Sequence, residues 1–301
     1  MTDLVEPIEA ALRRASHFDA DCPQRLGEAI RYALLAPGKR LRPALVLMAS
    51  EACGGTIQEA MPGAVAVEMV HAYSLIHDDL PAMDDDDLRR GRPTVHIQFD
   101  EATAILAGDA LLTQAFSHLS REIRDPGRAI AAIQVLSHAA GATRLVGGQA
   151  DDLAAEGRNK ASSGPGRGNG EAGWDELSWL ESIHRRKTGA LIAASLEIGA
   201  IVSGATNHQR QAIGNYARDL GLAFQVVDDL LDFTADDAAL GKRAGKDAER
   251  GKLTYPGLLG VEAARAKAKE LVESAKQQIA VFESAGWRLT LLANYVLERS
   301  H

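Results

Sequence analysis

The sequence predicts an all-α protein on three observations. Apolar residues recur at helical spacing through long segments. No Asn-Gly or Asp-Gly turn sits between alternating stretches, as a hairpin would need. A chain of 301 residues that is 46% hydrophobic can also bury a large core. Asp3–His17 has amphipathic spacing, and Pro43–Cys53 is a short apolar helix opened by an early proline and closed by Gly54-Gly55. Ala64–Asp79, Thr103–Arg124, Ala129–Gly147 and Trp174–Ala205 follow at full helix length, then Gln209–Phe233 and Val261–Ala285. Within Trp174–Ala205, the apolar run Thr188–Ala205 holds Glu197 and several Gly and Ser residues, so we read it as a core helix and expect no membrane span. Gly157–Gly173, GRNKASSGPGRGNGEAG, lacks the apolar area to order itself. We expect it to be a flexible surface loop within a single domain of residues 1–301; the alternative is a linker between two domains.

Bulk properties exclude several classes. A net charge of −8 argues against a general nucleic-acid binder. Cys22 and Cys53 have neither disulfide-framework nor metal-site spacing and read as small apolar residues. The N-terminal Met-Thr-Asp-Leu-Val-Glu carries acids where a leader would carry bases, so a cytoplasmic protein is expected.

Two acidic clusters carry the chemistry. In FQVVDDLLD, Asp228 and Asp232 lie four apart and share a helical face, with Asp229 offset beside them. Their neighbours Phe224, Val226, Val227, Leu230, Leu231 and Phe233 argue against a fully solvated face. Like charges at that spacing call for a cation, and their hard oxygens suit Mg²⁺ bound together with phosphate. In HDDLPAMDDDD, Asp78 and Asp84 lie six apart, nearly opposite on a regular helix. They converge only if the helix stops, and Pro81 supplies the break. We expect a helix ending near Asp79 and a turn over Leu80–Met83. Cations that could neutralise phosphate oxygens occur in GKRLRP (Lys39, Arg42), at Arg89-Arg90, in HRRKTG (Lys187, beside Thr188) and at Lys242 and Lys252.

The motifs GKRLRP, EMVHAYSLIHDDLPAMDDDDLRRGRPTVH, AGDALL, GGQADDL, HRRKTG, FQVVDDLLD and GKDAERGKLTYP occur in this order between about Gly38 and Pro256. Together they resemble the trans-isoprenyl diphosphate synthases, most closely the bacterial farnesyl type. The glycine-rich stretch after Glu156 is a departure, since relatives cross this region in fewer residues. The resemblance implies a helical bundle of the isoprenoid synthase type with a central active-site cavity. It implies a homodimer, and an enzyme that condenses isopentenyl diphosphate with dimethylallyl and geranyl diphosphates to give farnesyl diphosphate. Lys39, Arg42, His71 and Arg90 would hold the isopentenyl diphosphate. Asp78, Asp84 and Asp228 would ligate three Mg²⁺ ions, for which Mn²⁺ can substitute, with Asp79 and Asp232 supporting. Arg89, Lys187, Gln225, Lys242 and Lys252 would contact the allylic diphosphate, with Thr188 near the breaking bond. His77 reads as a helix residue packed beside the site.

Tyr73 lies five residues before Asp78, about 7–8 Å down the helix. In the family this chain resembles, a bulky residue there floors the pocket, so Tyr73, with Pro81-Ala82 in the acidic motif, implies a fifteen-carbon product; the alternative is twenty-carbon geranylgeranyl diphosphate. A terpene cyclase would have no need of GKRLRP or His71, and a non-catalytic subunit would usually lose one acidic motif.

Overall fold

The computed structural model describes residues 2–158, 176–234 and 253–298. They form two compact units, residues 1–137 with 194–211 and residues 138–193 with 212–301.

In the first unit, α1 (Thr2–Ala15), α2 (Gln24–Leu34), α3 (Leu41–Ala52), α4 (Ile57–Asp78) and α6 (Glu101–Glu122) build the bundle, and α4 packs against each of the others. The core lies between α3 and α4, where Leu45, Val46, Leu47, Met48, Val67, Met69 and Val70 are buried. α4 begins seven residues before the expected Ala64. The reason is a capping box: the Thr56 side chain accepts from the Glu59 amide while the Glu59 carboxylate accepts from the Thr56 amide. Pro62 is tolerated because the bond it forfeits falls next to the exposed Gln58. The helix α2, absent from the expected elements, buries Gly27, Ala29, Ile30 and Leu34 along one face.

A two-stranded hairpin, β1 (Leu88–Arg89) with β2 (Arg92–Pro93), interrupts the all-α pattern before the short α5 (Val95–Gln98). Its loop is Arg90-Gly91, both left-handed at φ 53° and 74°. That is the primed turn which matches strand twist, normally written Asn-Gly. An arginine in the first place hid it from the search for hairpin signatures.

The expected helix Ala129–Gly147 is two helices, α7 (Pro126–Ala140) and α8 (Leu145–Arg158). Gly141 stops the first, and its carbonyl accepts from the Arg144 amide at 3.0 Å. Pro126–Ala155 is apolar and long enough to cross a membrane only if counted as one helix. The turn leaves pieces of 15 and 14 residues, each short of the ~20 that a span requires. α8 also runs two residues into the expected glycine-rich loop, the rest of which lies outside the described residues.

The second unit holds α8, α9 (Glu176–His184), α11 (Asn207–Thr234), α12 (Tyr255–Leu259), α13 (Val261–Gln278) and α14 (Trp287–Glu298). The expected helix Trp174–Ala205 is divided. A π-helical turn at Arg185–Gly189 separates α9 from α10 (Ala190–Val202), most of which is buried. Val261–Ala285 gives way to a 3₁₀ segment at Ile279, where Glu283 has φ 49°. Tyr216 of α11 is fully buried and donates to the Leu289 carbonyl of α14 at 2.7 Å.

Candidate functional site

In the first unit the acidic cluster is a turn held by its own backbone. α4 ends at Asp78, and the Asp84 amide donates to the Asp78 carbonyl at 2.8 Å. The Met83 and Asp85 amides both donate to the Leu80 carbonyl, and the Asp86 amide donates to the Asp79 carbonyl. The chain thus doubles back where Pro81 was expected to turn it. Asp79 is buried, and its Oδ1 accepts from Arg89 Nε at 2.7 Å and Nη2 at 2.5 Å. Burial pushes the Asp79 carboxyl above the usual carboxylate range. The Arg89 pairing opposes that shift, and the charges of Asp86 and Asp84 add to it.

The hairpin carries Arg89 and Arg90 beside this turn. Its far strand is pinned by Tyr32, whose hydroxyl donates to the Pro93 carbonyl at 2.7 Å while Arg92 stacks over the ring at 4.4 Å. Arg90 Nη1 donates to the Pro37 carbonyl, just ahead of the exposed Lys39. On α3, Arg42 Nη1 lies 3.2 Å from His71 Nε2 on α4. Guanidinium only donates, so Nε2 is the acceptor and His71 is the neutral tautomer with its proton on Nδ1. Burial first, then the charges of Arg42, Arg90, Arg89 and Arg40, hold the imidazole well below its ordinary pKa. His71, Asp79, Arg89, Arg90 and Arg92 border a cavity of about 60 Å³ whose apolar side is Ala33, Ala72, Leu75, Ile76 and Val95.

Four residues here escaped sequence reasoning. Arg40, left-handed at φ 49° and 4% exposed, pairs with Glu9 at 2.6 Å and Glu68 at 2.8 Å. It fixes the turn between α2 and α3 on which Lys39 sits. A buried arginine inside a basic run looks like its exposed neighbours in sequence; the distant acids that distinguish it do not. The same holds for Tyr32, which pins the hairpin.

In the second unit, Gln225, Asp228 and Asp232 share one face of α11. Asp228 is exposed and Asp232 half-buried, whereas Val226, Val227 and Leu230 are buried. The face is therefore wetter than its apolar neighbours suggested: the buried Val226, Val227 and Leu230 point away from it, and Phe224 and Leu231, which flank it, are only half-buried. Asp229 faces neither way: its Oδ2 accepts from the Tyr255 amide at 2.9 Å.

Lys187 and Thr188 lie in the π-helical turn, an arrangement frequent at functional sites. Asp152 holds Lys187 Nζ at 2.5 Å, and Asp151 holds Arg186 at 2.5 Å. α8 can come this close because Gly148 is bare; a Cβ there would collide with the Lys187 backbone. Gln149 is buried with neither side-chain polar atom hydrogen-bonded among the described residues. The GGQADDL motif was visible, but its partners in HRRKTG are 35 residues away. Lys242 and Lys252 lie outside the described residues.

Among the described residues, no three Asp, Glu, His or Cys side chains form a metal site of their own. Carboxylates spaced as Asp78 with Asp84 and Asp228 with Asp232 fit a hard cation that takes one or two protein oxygens and completes its shell with phosphate.

The comparisons agree with this chemistry. The polyprenyl synthetase family profile matches residues 23–285. The chain is 45% identical over 313 aligned positions to farnesyl diphosphate synthase of Escherichia coli (strain K12), covering 99% of each. It is 47% identical to geranylgeranyl pyrophosphate synthase 11 of Arabidopsis thaliana, across 97% of this chain and 79% of that one. An apo structure of an FPP/GFPP synthase from Zymomonas mobilis superposes with a TM-score of 0.83 at 39% identity, covering 98% of this chain and 96% of the other. With its motifs, its helical architecture and its relatives in accord over nearly the whole length, the chain belongs to the polyprenyl synthetase family.

Proposed function

We propose that the chain acts as one catalytic domain, a short-chain prenyltransferase that joins isopentenyl diphosphate to dimethylallyl and then geranyl diphosphate and releases farnesyl diphosphate. The observation that carries this reading is the Arg42–His71 contact in the first unit, where His71 and Arg90 both line the cavity. It offers an anion site additional to the two acidic motifs, which a cyclase would not need.

Lys39, Arg42 and Arg90 neutralise the isopentenyl diphosphate, and neutral His71 donates to it through Nδ1–H. Asp78, Asp84 and Asp228, supported by Asp232, would hold Mg²⁺ together with the allylic diphosphate. We propose three ions per site, which Mn²⁺ can replace. Bound metal offsets the charge that develops on the departing diphosphate. Asp79 supports the site by fixing Arg89, and Arg89, Lys187, Gln225, Lys242 and Lys252 would contact the allylic diphosphate. Thr188 lies near the breaking bond. An allylic cation forms, the alkene attacks it, and a proton is lost. Tyr73, 5% exposed on α4, closes the tail pocket. The second reading, geranylgeranyl diphosphate synthesis, is favoured by the Arabidopsis relative. We place the protein in the cytoplasm, binding no nucleic acid. We also propose that it is a homodimer, the exposed Ile97, Ile105 and Leu106 of α5 and α6 offering the apolar face.

The test is incubation with Mg²⁺, isopentenyl diphosphate and each allylic primer, with dephosphorylated products sized by chromatography. A dominant twenty-carbon product would sink the farnesyl reading, and failure to consume isopentenyl diphosphate would sink the synthase reading.

A further inference from the structure

Resting on that assignment of Tyr73, we propose that His77 of α4 and Gly108 of α6 form a second tier of the length-determining floor, setting product size by holding the Tyr73 ring in place. The Tyr73 hydroxyl is buried and has no hydrogen-bond partner among the described residues, so no polar contact anchors the ring. Its ring meets the His77 imidazole edge to face, 5.8 Å between centroids at 83°. The two residues lie one helical turn apart on α4.

His77 is in turn fixed from α6. Its Nε2 lies 3.1 Å from the Ile105 carbonyl, which can only accept, so Nε2 carries the proton and donates. The ring lies against the bare Cα of Gly108, where an added Cβ would collide with Nε2, Cδ2 and Cε1. Tyr73 therefore leans on His77, and His77 is clamped between a carbonyl and a glycine of the next helix. Position 77 adjoins Asp78, but the imidazole is engaged with α6, so its share in the reaction is one of positioning.

Removing the imidazole takes away the buttress and frees the Tyr73 ring to leave its place across the pocket, so longer tails can pass. His77→Ala should raise the ratio of twenty- to fifteen-carbon product by about tenfold, the order of discrimination that one methylene-sized step in an apolar pocket gives. Gly108→Ala drives the imidazole off α6 towards Tyr73 and should shift the profile the other way, to ten-carbon geranyl product. If turnover is lost, calorimetric binding of geranylgeranyl diphosphate with Mg²⁺ reports the same pocket: His77→Ala gains affinity and Gly108→Ala does not. Tyr73→Ala is the control. If it lengthens products while both His77→Ala and Gly108→Ala keep the wild-type profile and binding, the second tier is wrong. If Tyr73→Ala also changes nothing, the floor itself is wrong.

Discussion

The two acidic motifs reach similar donor sets by different constructions. In the first unit, the backbones of Asp78 and Asp84 are joined because the chain turns back on itself, with the Asp84 amide on the Asp78 carbonyl and Asp85 in a left-handed conformation. In the second, Asp228 and Asp232 need only an unbroken helix. The motifs nevertheless share a division of labour. Each contains an Asp-Asp pair, and in each the second aspartate is engaged in holding the scaffold: Asp79 grips Arg89, and Asp229 grips the Tyr255 amide. Adjacent aspartates thus differ: the second of each pair is tied to the scaffold, and the first is the one we propose for the cation.

Separating the two kinds of aspartate gives the largest expected effect. Asp78→Asn and Asp228→Asn should each lower kcat by about 10³-fold, in the range lost when one preorganised electrostatic group is removed, while the melting temperature stays close to wild type. Initial rates at saturating Mg²⁺ alongside thermal unfolding decide this. If Asp79→Asn and Asp229→Asn gave the same combination, the division would not hold.

The inward pair should differ in size. Asp79→Asn strands a largely buried guanidinium and should destabilise the protein by about 3 kcal/mol. Asp229→Ala orphans one backbone amide and should cost about 1–2 kcal/mol. Denaturant midpoints would measure both, and a larger loss at 229 would reverse the ranking.

The smallest effect is in pH. Burial and four arginines lower the His71 pKa in the folded state below the ordinary 6.5. Below pH 6.5 the unfolded chain takes up a proton that the fold refuses. Stability is therefore fully present above that pH and declines as pH falls from 6.5 towards the folded value. His71→Gln should flatten this part of the acid limb. Identical limbs for the variant and the wild type would show that His71 is not protected in this way.

These contrasts also explain what could be read beforehand. The shared face of α11 and the turn at Pro81 were legible because each follows from local rules, 3.6 residues per turn in one case and a missing donor in the other. The break at Gly141 depends on a single residue inside a longer apolar pattern, and the start of α4 on a polar pair, Thr56 and Glu59, ahead of its apolar run. The roles of Asp79 and Asp229 depend on partners 10 and 26 residues away, which no local window contains. Arg40 is the plainest case, since its two acids come from α1 and α4.

The loop Arg90-Gly91 has a consequence for anyone evolving this enzyme. A side chain at φ 53° pays about 1 kcal/mol that glycine would not, and asparagine pays less. Selection for heat resistance alone should drift position 90 towards Gly or Asn, whereas selection for turnover should restore Arg. Variants ranked by melting temperature will then place the least active hairpins first, so a screen of this protein has to read product as well as persistence.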